Sequence, residues 1–526
     1  MADELDQLHR EPLPVDLLIR SLDLYADRTA VHIGDAELTY GQLRDEISRY
    51  SQAMAALGLG VGSPVAILSA NRPEVLFTLS ANLVVGVRGA ALHPMGSLDD
   101  HAYVLEDAGI ETLIFDAANY AERAADLAER VPGLKNLVAL GESPIGTNLL
   151  AAAAAQTPGP LRAPADLDLD AVSSLAYTGG TTGKSKGVMM TYRGSATLLR
   201  IQRAEWEWPA EIRHLVCTPL SHAGAAFWNP TAMMGGSMVV LPGFHPQKFL
   251  EAVQQYRITS TMLVPTMLYA LLDYPDLDKY DTSSLETVFY GASAISPTRL
   301  AEAVEKFGPV FVQFYGQAEC PMTISVLGRA DHDLAAPHRL ASCGRAVPWL
   351  HVALLDDAGN EVADGEPGEI CVRGPLVMKG YLNKPEQTAE ATEFGWLHTG
   401  DVARRDAEGY LYIIDRKKDM IVSGGFNVFP REVEDTLSAH PAVAGAAVIG
   451  VPDEKWGEAV KAVVVLRDGH TVAAEELQAL VKDRKGAVYT PKSVDFVDRI
   501  PVTGIGKPDK KALRARYWSD TTRQVN

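Results

Sequence analysis

Residues 177–188 read Tyr177-Thr178-Gly179-Gly180-Thr181-Thr182-Gly183-Lys184-Ser185-Lys186-Gly187-Val188 and follow an apolar run. The segment combines four glycines with three threonines and two lysines. Glycine lets a loop turn several backbone N–H groups toward one anion, and the hydroxyl and ammonium groups add further donors. We therefore expect this loop to bind phosphate groups.

Two common phosphate motifs do not fit this segment. A Walker A loop needs a glycine five positions before Gly183, and Thr178 stands there. A Rossmann fingerprint needs the spacing Gly-x-Gly-x-x-Gly at the start of a helix, and no two glycines of the segment lie two positions apart. The segment therefore belongs to another class of nucleotide site, or it is a surface loop without a ligand.

The composition is typical of a soluble globular protein with more than one core. The chain has 526 residues, of which 47% are hydrophobic and 22% charged. Its net charge of −19 lies almost entirely in residues 1–417, which disfavours nucleic acid and anionic membranes as partners. No apolar run approaches the ~18 residues of a membrane span, and residues 1–20 lack the pattern of a signal peptide. We expect a cytoplasmic protein.

The cysteines argue against both a zinc site and a disulfide framework, because they are widely spaced and form no Cys-x-x-Cys pair. They are Cys217, Cys320, Cys343 and Cys371. We interpret Cys320 as a small apolar filler rather than a nucleophile.

The pattern along the chain predicts an α/β fold. Residues 38–130 alternate strand-like runs with helical patterns, including a strand at 64–68 and a helix at 74–85. A second alternating region spans about 212–325. Its predicted strands are 214–217, 238–241, 261–264, 287–290 and 310–314. We therefore expect two doubly wound α/β subdomains.

The remaining third of the chain has a different pattern. Residues 340–415 read as short strands with turns at 356–359 and 406–409, as a small β-barrel would. After Lys418, helices and strands alternate again in a segment with balanced charge. We place a domain boundary there, with a large N-terminal domain at 1–417 and a small α+β domain at 418–526.

Glu319 is the candidate metal ligand. It ends the segment Tyr315-Gly316-Gln317-Ala318-Glu319, which follows the predicted strand 310–314. In α/β sheets, ligands bind at the carboxyl ends of strands. Mg²⁺ at nucleotide sites takes one or two carboxylates together with phosphate oxygens. The alternative for Glu319 is a helix cap or a salt bridge.

Together these segments resemble the motifs of the adenylate-forming superfamily, which includes acyl- and aryl-CoA ligases, luciferases and peptide-synthetase adenylation domains. Residues 177–187 resemble its pattern Tyr-Thr-Ser-Gly-Thr-Thr-Gly-x-Pro-Lys-Gly, with Gly179 for serine and Ser185 for proline. Residues 315–319 resemble Tyr-Gly-x-Thr-Glu, with Ala318 for threonine. These departures remove hydroxyl groups and a stiff turn, but they keep the lysine, the glycines and the glutamate.

The resemblance covers nearly the whole chain, from Leu38-Thr39-Tyr40 to Lys507, with the motifs in the family order. Its later motifs are Trp396-Leu397-His398-Thr399-Gly400-Asp401, Tyr410-Leu411-Tyr412-Ile413-Ile414-Asp415-Arg416, Ser423-Gly424-Gly425-Phe426-Asn427 and Pro501-Val502-Thr503-Gly504-Ile505-Gly506-Lys507. Among relatives, the chain looks most like bacterial fatty and aryl acyl-CoA synthetases.

The resemblance implies a role for each matched residue. Lys507 would contact the acyl carboxylate and the α-phosphate, Asp401 would accept hydrogen bonds from the ribose hydroxyls, and Arg416 would reach the ribose and phosphate. The other residues implied to bind ATP are Thr178, Gly180, Thr181, Thr182, Gly183, Lys186, Gly291, Ala292, Ser293, Tyr315 and Gly316, with Gly291-Ala292-Ser293 beside adenine.

The remaining implied roles concern the acid and the thiol. Lys418 would be the hinge about which a mobile C-terminal domain turns. Gly424 and Gly425 would border the pantetheine tunnel. His222 would be an aromatic gate of the kind found in relatives that use CoA. The residues implied to line the acyl pocket are Ala223, Gly224, Phe227, Val264, Tyr290 and Phe314. Phe314 stands where aryl-CoA ligases commonly have glycine, so it would narrow one wall of the pocket.

By resemblance, the protein would be an AMP-forming acid–thiol ligase that uses ATP, Mg²⁺ and coenzyme A. A carboxylate would attack the α-phosphorus of ATP to give an acyl-adenylate and pyrophosphate, and a thiol would then displace AMP. Two alternatives stay open. One is an adenylating enzyme whose acceptor is a carrier-protein thiol or a nitrogen substrate, as in diazotase-like relatives, and the other is a nucleotide-binding protein without catalysis. The identity of the acid and the formation of a homodimer are also open.

Overall fold

A computed structural model of the chain describes residues 11–34, 36–165, 167–178, 185–293, 295–417, 419–423, 426–453, 457–502 and 508–517. Its helices are α1 Pro14–Leu24, α2 Tyr40–Ala56, α3 Pro73–Val85, α4 Leu98–Asp107, α5 Ala117–Arg130, α6 Leu149–Ala154, α7 Tyr192–Glu205, α8 Trp228–Met233, α9 Pro246–Tyr256, α10 Pro265–Leu272, α11 Pro297–Phe307, α12 Pro385–Ala391, α13 Pro430–Ser438, α14 Ala474–Lys485 and α15 Lys510–Tyr517. Several begin at a proline, whose missing N–H needs no partner at the start of a helix.

The strands fall into four sheets. They are β1 Thr29–Ile33, β2 Ala36–Thr39, β3 Pro64–Leu68, β4 Arg88–Ala91, β5 Thr112–Asp116, β6 Asn136–Leu140, β7 Thr147–Asn148, β8 Val172–Thr178, β9 Lys186–Thr191, β10 Arg213–Val216, β11 Ser237–Val240, β12 Ser260–Leu263, β13 Thr287–Tyr290, β14 Phe311–Gln317, β15 Cys320–Leu327, β16 Arg345–Ala346, β17 His351–Leu355, β18 Gly368–Arg373, β19 Leu397–Arg405, β20 Leu411–Arg416, β21 Ile421–Ser423, β22 Phe426–Val428, β23 Val443–Asp453, β24 Gly457–Leu466 and β25 Ser493–Phe496.

The first α/β subdomain contains a seven-stranded sheet in the order β7-β6-β5-β3-β4-β8-β9. All neighbours are parallel except β8 and β9. Strand β3 has the predicted bounds, and α3 begins one residue before the predicted helix. Helix α2 begins where the Thr39 side chain accepts the N–H of Gln42, which satisfies a free donor of the first turn. The doubly wound prediction is confirmed for this part of the chain.

The second subdomain contains a nine-stranded sheet in the order β16-β15-β14-β13-β12-β10-β11-β1-β2. The central strands β1 and β10 to β14 are parallel to one another, and the edge strands β2, β15 and β16 pair antiparallel with their neighbours. Strand β13 has the predicted bounds, while β10, β11 and β12 begin and end one residue earlier than predicted. One apolar cluster holds side chains from both sheets, among them Ile67, Ile114, Met262 and Phe289. The two subdomains therefore share a core.

Residues 351–416 form a four-stranded antiparallel sheet in the order β17-β18-β19-β20, and within the described residues it does not close into the predicted barrel. The outer edge of β20 pairs with another segment: Cys343 donates its N–H to the Leu411 carbonyl, and Leu411 donates to the Gly344 carbonyl. The chain continues from Gly344 into β16. The small sheet is therefore joined to the nine-stranded sheet along the edge that a barrel would need for closure.

The last sheet, with strands β21 to β25, carries α13, α14 and α15. The chain changes sheets between Arg416 and Ile421, and Lys418 lies outside the described residues. Helix α13 meets the end of β20 where Arg431 donates its N–H to Asp415 Oδ2 at 3.0 Å. Over the ranges that the structure covers, no helix has the length and apolar character needed to cross a bilayer.

Candidate active site

The phosphate-loop segment connects two antiparallel strands. Thr178 is the last residue of β8 and pairs with Lys186, the first residue of β9. Walker A and Rossmann loops lead into a helix, whereas this loop leads into a strand. The topology therefore agrees with the rejection of both motifs. Gly180, Thr181, Thr182 and Gly183 lie outside the described residues.

Glu319 lies in a two-residue turn between β14 and β15, in which Gln317 pairs with Cys320. Its position at the carboxyl end of a strand is as predicted. Tyr381 donates its hydroxyl to Glu319 Oε1 at 2.8 Å, and Met378 donates its N–H to the Glu319 carbonyl at 2.8 Å. The carboxylate is half-buried. A fixed carboxylate beside the phosphate-loop segment is suited to bind a hard cation.

Asp401 and Arg416 are directly opposite each other on β19 and β20. Arg416 Nε lies 3.0 Å from Asp401 Oδ1, and Tyr315 donates its hydroxyl to Asp401 Oδ2 at 2.7 Å. Asp401 foremost, with a smaller contribution from Glu319 among others, raises the pKa of the Arg416 guanidinium. Each carboxylate oxygen keeps a lone pair for a further donor, such as a ribose hydroxyl. Asp401, Tyr315 and Arg416 thus join the nine-stranded sheet to the small sheet.

The segment after β13 holds an unusual backbone conformation. Ala292 has φ +66°, which costs an L-residue roughly 1–2 kcal/mol. A Cβ at Gly291 would lie 2.6 Å from the Phe314 carbonyl oxygen, and one at Gly316 would lie 2.7 Å from the Met322 backbone. The two glycines therefore permit close packing of adjacent chain segments. Ala292 is exposed and Ser293 half-exposed at the strand end, where a ligand can reach them.

His222 is held neutral. Although the residue is exposed at the surface, desolvation of its ring by the surrounding protein, with a smaller effect of His93, lowers the pKa of His222 to about 4. Its Nδ1 lies 2.8 Å from Ser221 Oγ, and its ring meets that of His93 edge to face at 4.7 Å. An imidazole that stays uncharged at neutral pH is suited to a wall or a gate rather than to carrying a proton.

The predicted acyl-pocket residues do not all face the same way. Phe227 and Phe314 share a cluster with Trp206, and the Phe314 and Trp206 rings stack at 5.0 Å. The Tyr290 side chain points into a different core and lies 2.8 Å from His332 Nε2 through its hydroxyl. Ala223 and Val264 pack against the cluster of Phe227 and Phe314, so Tyr290 is the predicted pocket residue whose side chain lies elsewhere.

The loop before α8 places the smaller pocket residues. Ala223 and Gly224 begin a 3₁₀ turn at Ala223–Phe227. A Cβ at Gly224 would lie 2.6 Å from the Thr218 carbonyl oxygen, so the loop needs glycine there. Val264 precedes the first residue of α10 and is half-buried. The loop itself is anchored by Asn71, which donates from Nδ2 to the Thr218 carbonyl.

All four cysteines are buried free thiols. Burial, with a smaller effect of Glu319, raises the pKa of Cys320, so the thiol stays protonated and is a poor nucleophile. The fold also brings Cys371 near His398 and Glu369, three side chains of a type that can bind a metal. Glu369 accepts the Gly400 N–H at 2.8 Å and lies 3.4 Å from Lys417 Nζ. Because this cation already faces the carboxylate, we assign no metal there.

The fold thus gathers Lys186, Tyr315, Glu319, Asp401 and Arg416 where three sheets meet. Sequence reasoning missed Tyr381, which contacts both Glu319 and Lys186. No pattern marks this tyrosine, since its partners lie far away along the chain. Besides the four residues of the phosphate loop, four more predicted site residues lie outside the described residues, namely Lys418, Gly424, Gly425 and Lys507.

Comparison with known proteins gives matches along almost the whole chain. Residues 19–382 match the model of the AMP-binding enzyme family, and residues 432–507 match that of the AMP-binding enzyme C-terminal domain. A medium/long-chain-fatty-acid–CoA ligase of Mycobacterium tuberculosis is 55% identical over 97% of this chain and 91% of its own length. A feruloyl-CoA synthase of an Amycolatopsis species is 38% identical over 95% of this chain and 98% of its own.

Among solved structures, the amide bond synthetase McbA from Marinactinospora thermotolerans is similar to this chain with a TM-score of 0.89. It is 34% identical, and the match covers 96% of this chain and 100% of that protein. The likeness therefore extends to the arrangement of the sheets that build the site.

Proposed function

The chain belongs to the AMP-binding enzyme family, and we propose on that premise that it activates a medium- to long-chain fatty acid with ATP and transfers the acyl group to coenzyme A. The observation that carries this proposal is the junction of three sheets at Asp401, Arg416 and Glu319. At this junction the Asp401 carboxylate would bind a ribose, and the Glu319 carboxylate would bind a cation that is held by the phosphates. The reaction is that of an AMP-forming acid–thiol ligase.

The first half-reaction joins the acid to AMP. A carboxylate oxygen attacks the α-phosphorus, the bond to the β-phosphate oxygen breaks, and pyrophosphate leaves. Asp401, Tyr315 and Arg416 would hold the ribose and orient the α-phosphate for in-line attack. Lys186 and Lys507 would offset the charge that builds up on the phosphate oxygens. In the second half-reaction, the CoA thiolate attacks the acyl carbon and AMP leaves.

The residues present fit one Mg²⁺. Glu319 offers a hard oxygen at a strand end, and Tyr381 holds only one of its two carboxylate oxygens. When bound, the ion would neutralise phosphate charge and strengthen the α-phosphorus as an electrophile. Glu319 would thus position the triphosphate rather than take part in proton transfer.

Two observations favour a fatty acid over an aromatic one. The relative with 55% identity bears the name of a fatty-acid ligase, whereas the feruloyl-CoA synthase is 38% identical. Phe314 and Trp206 also fill the space beside Gly291 with stacked rings, which would narrow a flat aryl slot. We propose that Ala223, Gly224, Phe227, Val264 and Phe314 border the acyl chain, while Tyr290 contributes backbone only.

We further propose that residues 418–526 are a separate C-terminal domain that rotates about Lys418 between the half-reactions. In one orientation Lys507 would face the α-phosphate, and in the other Gly424 and Gly425 would border the pantetheine arm. The change of sheet between Arg416 and Ile421 supports this boundary. A cytoplasmic location remains a prediction from composition.

The test is pyrophosphate release measured across fatty, cinnamic, benzoic and steroid acids, with and without CoA. We expect the largest kcat/KM for fatty acids and acyl-CoA formation only when CoA is present. Lys507→Ala should lower the rate of the first half-reaction by a factor of about 10²–10³. Thioester formation from added acyl-adenylate should continue. If a carrier protein or an amine accepts the acyl group and CoA does not, the proposed acceptor is wrong.

A further inference from the structure

Tyr381 contacts two groups of opposite charge in the proposed ATP site. Its hydroxyl donates to Glu319 Oε1 at 2.8 Å, and Lys186 Nζ lies over its ring at 4.5 Å from the centroid. A phenol hydroxyl is a donor to carboxylate, and the face of its ring attracts an ammonium group. One side chain thus satisfies both charged groups through different parts of its structure.

The backbone around Tyr381 is tied to both elements that carry these groups. Leu382 donates its N–H to the Gly187 carbonyl at 2.8 Å, and Lys379 donates to the Met189 carbonyl at 2.9 Å. Just before this segment, Met378 donates to the Glu319 carbonyl. The segment 378–382 therefore binds β9 on one side and the β14–β15 turn on the other, so the tyrosine ring has little freedom to move.

Tyr381 is also built to remain a neutral donor. The residue is 8% exposed, and burial, followed by the charge of Glu319, raises its pKa well above the usual range. At any working pH the hydroxyl keeps its proton and donates a hydrogen bond to the carboxylate. The face of the same ring lies next to Lys186.

We infer that Tyr381 is a positioning residue that keeps Glu319 and Lys186 apart and oriented for the metal–nucleotide complex. Without the ring, the ammonium and carboxylate groups attract each other and can form a direct ion pair. In such a pair, Glu319 would be neutralised by Lys186 and would bind the cation less well. Lys186 would likewise be less able to bind the phosphates. This inference rests on the proposed function, because it assigns Glu319 to Mg²⁺.

Two substitutions separate the two contacts. Tyr381→Phe removes the hydroxyl and keeps the ring beneath Lys186, whereas Tyr381→Leu removes both. Tyr410 provides a matched control: its hydroxyl donates to Asp331 at 2.5 Å, Arg345 lies 4.8 Å above its ring, and it is 3% exposed. Tyr410 precedes β20 at the end opposite to Arg416, roughly 20 Å away at ~3.3 Å per residue.

The readout is binding of a fluorescent ATP analogue, titrated with and without Mg²⁺, next to the Mg²⁺ dependence of pyrophosphate release. Tyr381→Phe should raise the Mg²⁺ concentration for half-maximal binding about tenfold, the loss expected for a hydrogen bond to a charged group. It should leave metal-free binding unchanged. Tyr381→Leu should weaken metal-free binding as well. Tyr410→Phe and Tyr410→Leu should lower only the melting temperature.

The outcomes distinguish this inference from the proposed function. If Glu319→Gln raises the Mg²⁺ requirement and Tyr381→Phe does not, the inference is wrong and the metal assignment stands. If neither variant changes the Mg²⁺ requirement, the metal assignment falls and the inference falls with it. A Tyr381→Phe effect equal to that of Tyr410→Phe would reduce Tyr381 to a structural role. If no acid supports pyrophosphate release, the proposed function fails, while the binding titration still tests Tyr381.

Discussion

Asp401 and Arg416 lie across from each other on β19 and β20, with Arg416 Nε 3.0 Å from Asp401 Oδ1, while Tyr315 holds the other carboxylate oxygen. The carboxylate is buried, and three elements of two sheets fix its direction. A ribose placed against it would meet acceptors whose geometry exists before binding. Such preorganisation saves the cost of ordering side chains during association.

Asp401→Asn is expected to raise the KM for ATP by about tenfold to hundredfold, because a hydrogen bond to a charged group contributes ~1.5–3 kcal/mol. The change should leave the KM for the acid nearly unaffected. Initial-rate kinetics with each substrate varied in turn would measure both constants. Asp364→Asn, which removes an exposed partner of Arg405, should change neither constant, and an equal rise in both KM values in Asp401→Asn would contradict a ribose contact.

Much of the fold could be predicted from local sequence. Strands such as β3 and β13 are short apolar runs bounded by turn residues, so their limits follow from composition. The open form of the small sheet could not be predicted, because it depends on the pairing of Cys343 and Gly344 with Leu411, which is distant from them in sequence. Residues that bind directly, such as Asp401 and Glu319, stand in recognisable motifs. Tyr381 acts through contacts that only the folded chain brings together.

Phe314→Leu should shift the preference among acids toward longer or wider chains, by at most about tenfold to two-hundredfold in kcat/KM ratios. The substitution removes the ring that stacks on Trp206. It should also lower the free energy of unfolding by less than the ~3–5 kcal/mol typical of a Phe→Ala change. A panel of acids of increasing length would measure the shift.

The matched control for that substitution is Phe289→Leu, which alters a ring of the same cluster that contacts Trp206 at 4.9 Å. We expect a similar loss of stability and the wild-type order of acids. If both variants change the order equally, general loosening of the cluster, rather than contact between Phe314 and the acid, sets the preference.

His222→Gln should leave the pH profile of the first half-reaction unchanged between pH 5.5 and 8. Desolvation of the ring by the surrounding protein lowers the pKa of His222 to about 4, so the imidazole is already neutral throughout that range. Rates of adenylate formation at constant ionic strength would test this. An acidic limb near pH 6.5 that is present in the wild type and absent in the variant would show that His222 carries a proton during the reaction.

His214 is expected to make stability fall in mild acid. Burial lowers its pKa to about 3, so between pH 6.5 and 3 the unfolded chain binds a proton that the folded chain does not. The contribution of His214 to the free energy of unfolding is therefore fully present above pH 6.5. It decreases as the pH falls and is smaller by about 2 kcal/mol at pH 5. Asp415 acts in the opposite direction, because burial raises its pKa to about 6.

Comparing the free energy of unfolding of the wild type with that of His214→Leu isolates the effect of the histidine. Urea unfolding at pH 7 and pH 5 should give a smaller pH dependence in the variant. Met262→Ala, a buried core change without a titrating group, should keep the wild-type dependence. If His214→Leu also keeps it, another group causes the acid loss.

Lys418→Pro tests the proposed hinge. Proline holds φ near −65°, so a residue whose backbone must rotate between half-reactions would be restricted to one conformation. In the present structure, Arg431 donates its N–H to Asp415, and Arg467 lies 3.8 Å from Glu302, contacts that join the two proposed domains. One half-reaction should fail while the other persists, and we expect adenylate to accumulate without thioester formation.

The control is Ala474→Pro, which places proline at the first residue of α14 in the same domain. Ala473 before it has an extended backbone, which suits a residue preceding proline. This variant should keep both half-reactions and the wild-type melting temperature. If Lys418→Pro lowers both rates together with the melting temperature, it has damaged the fold rather than blocked rotation. If both rates survive in Lys418→Pro, the chain turns at another residue, and the neighbouring Lys417 and Asp419 become the next candidates.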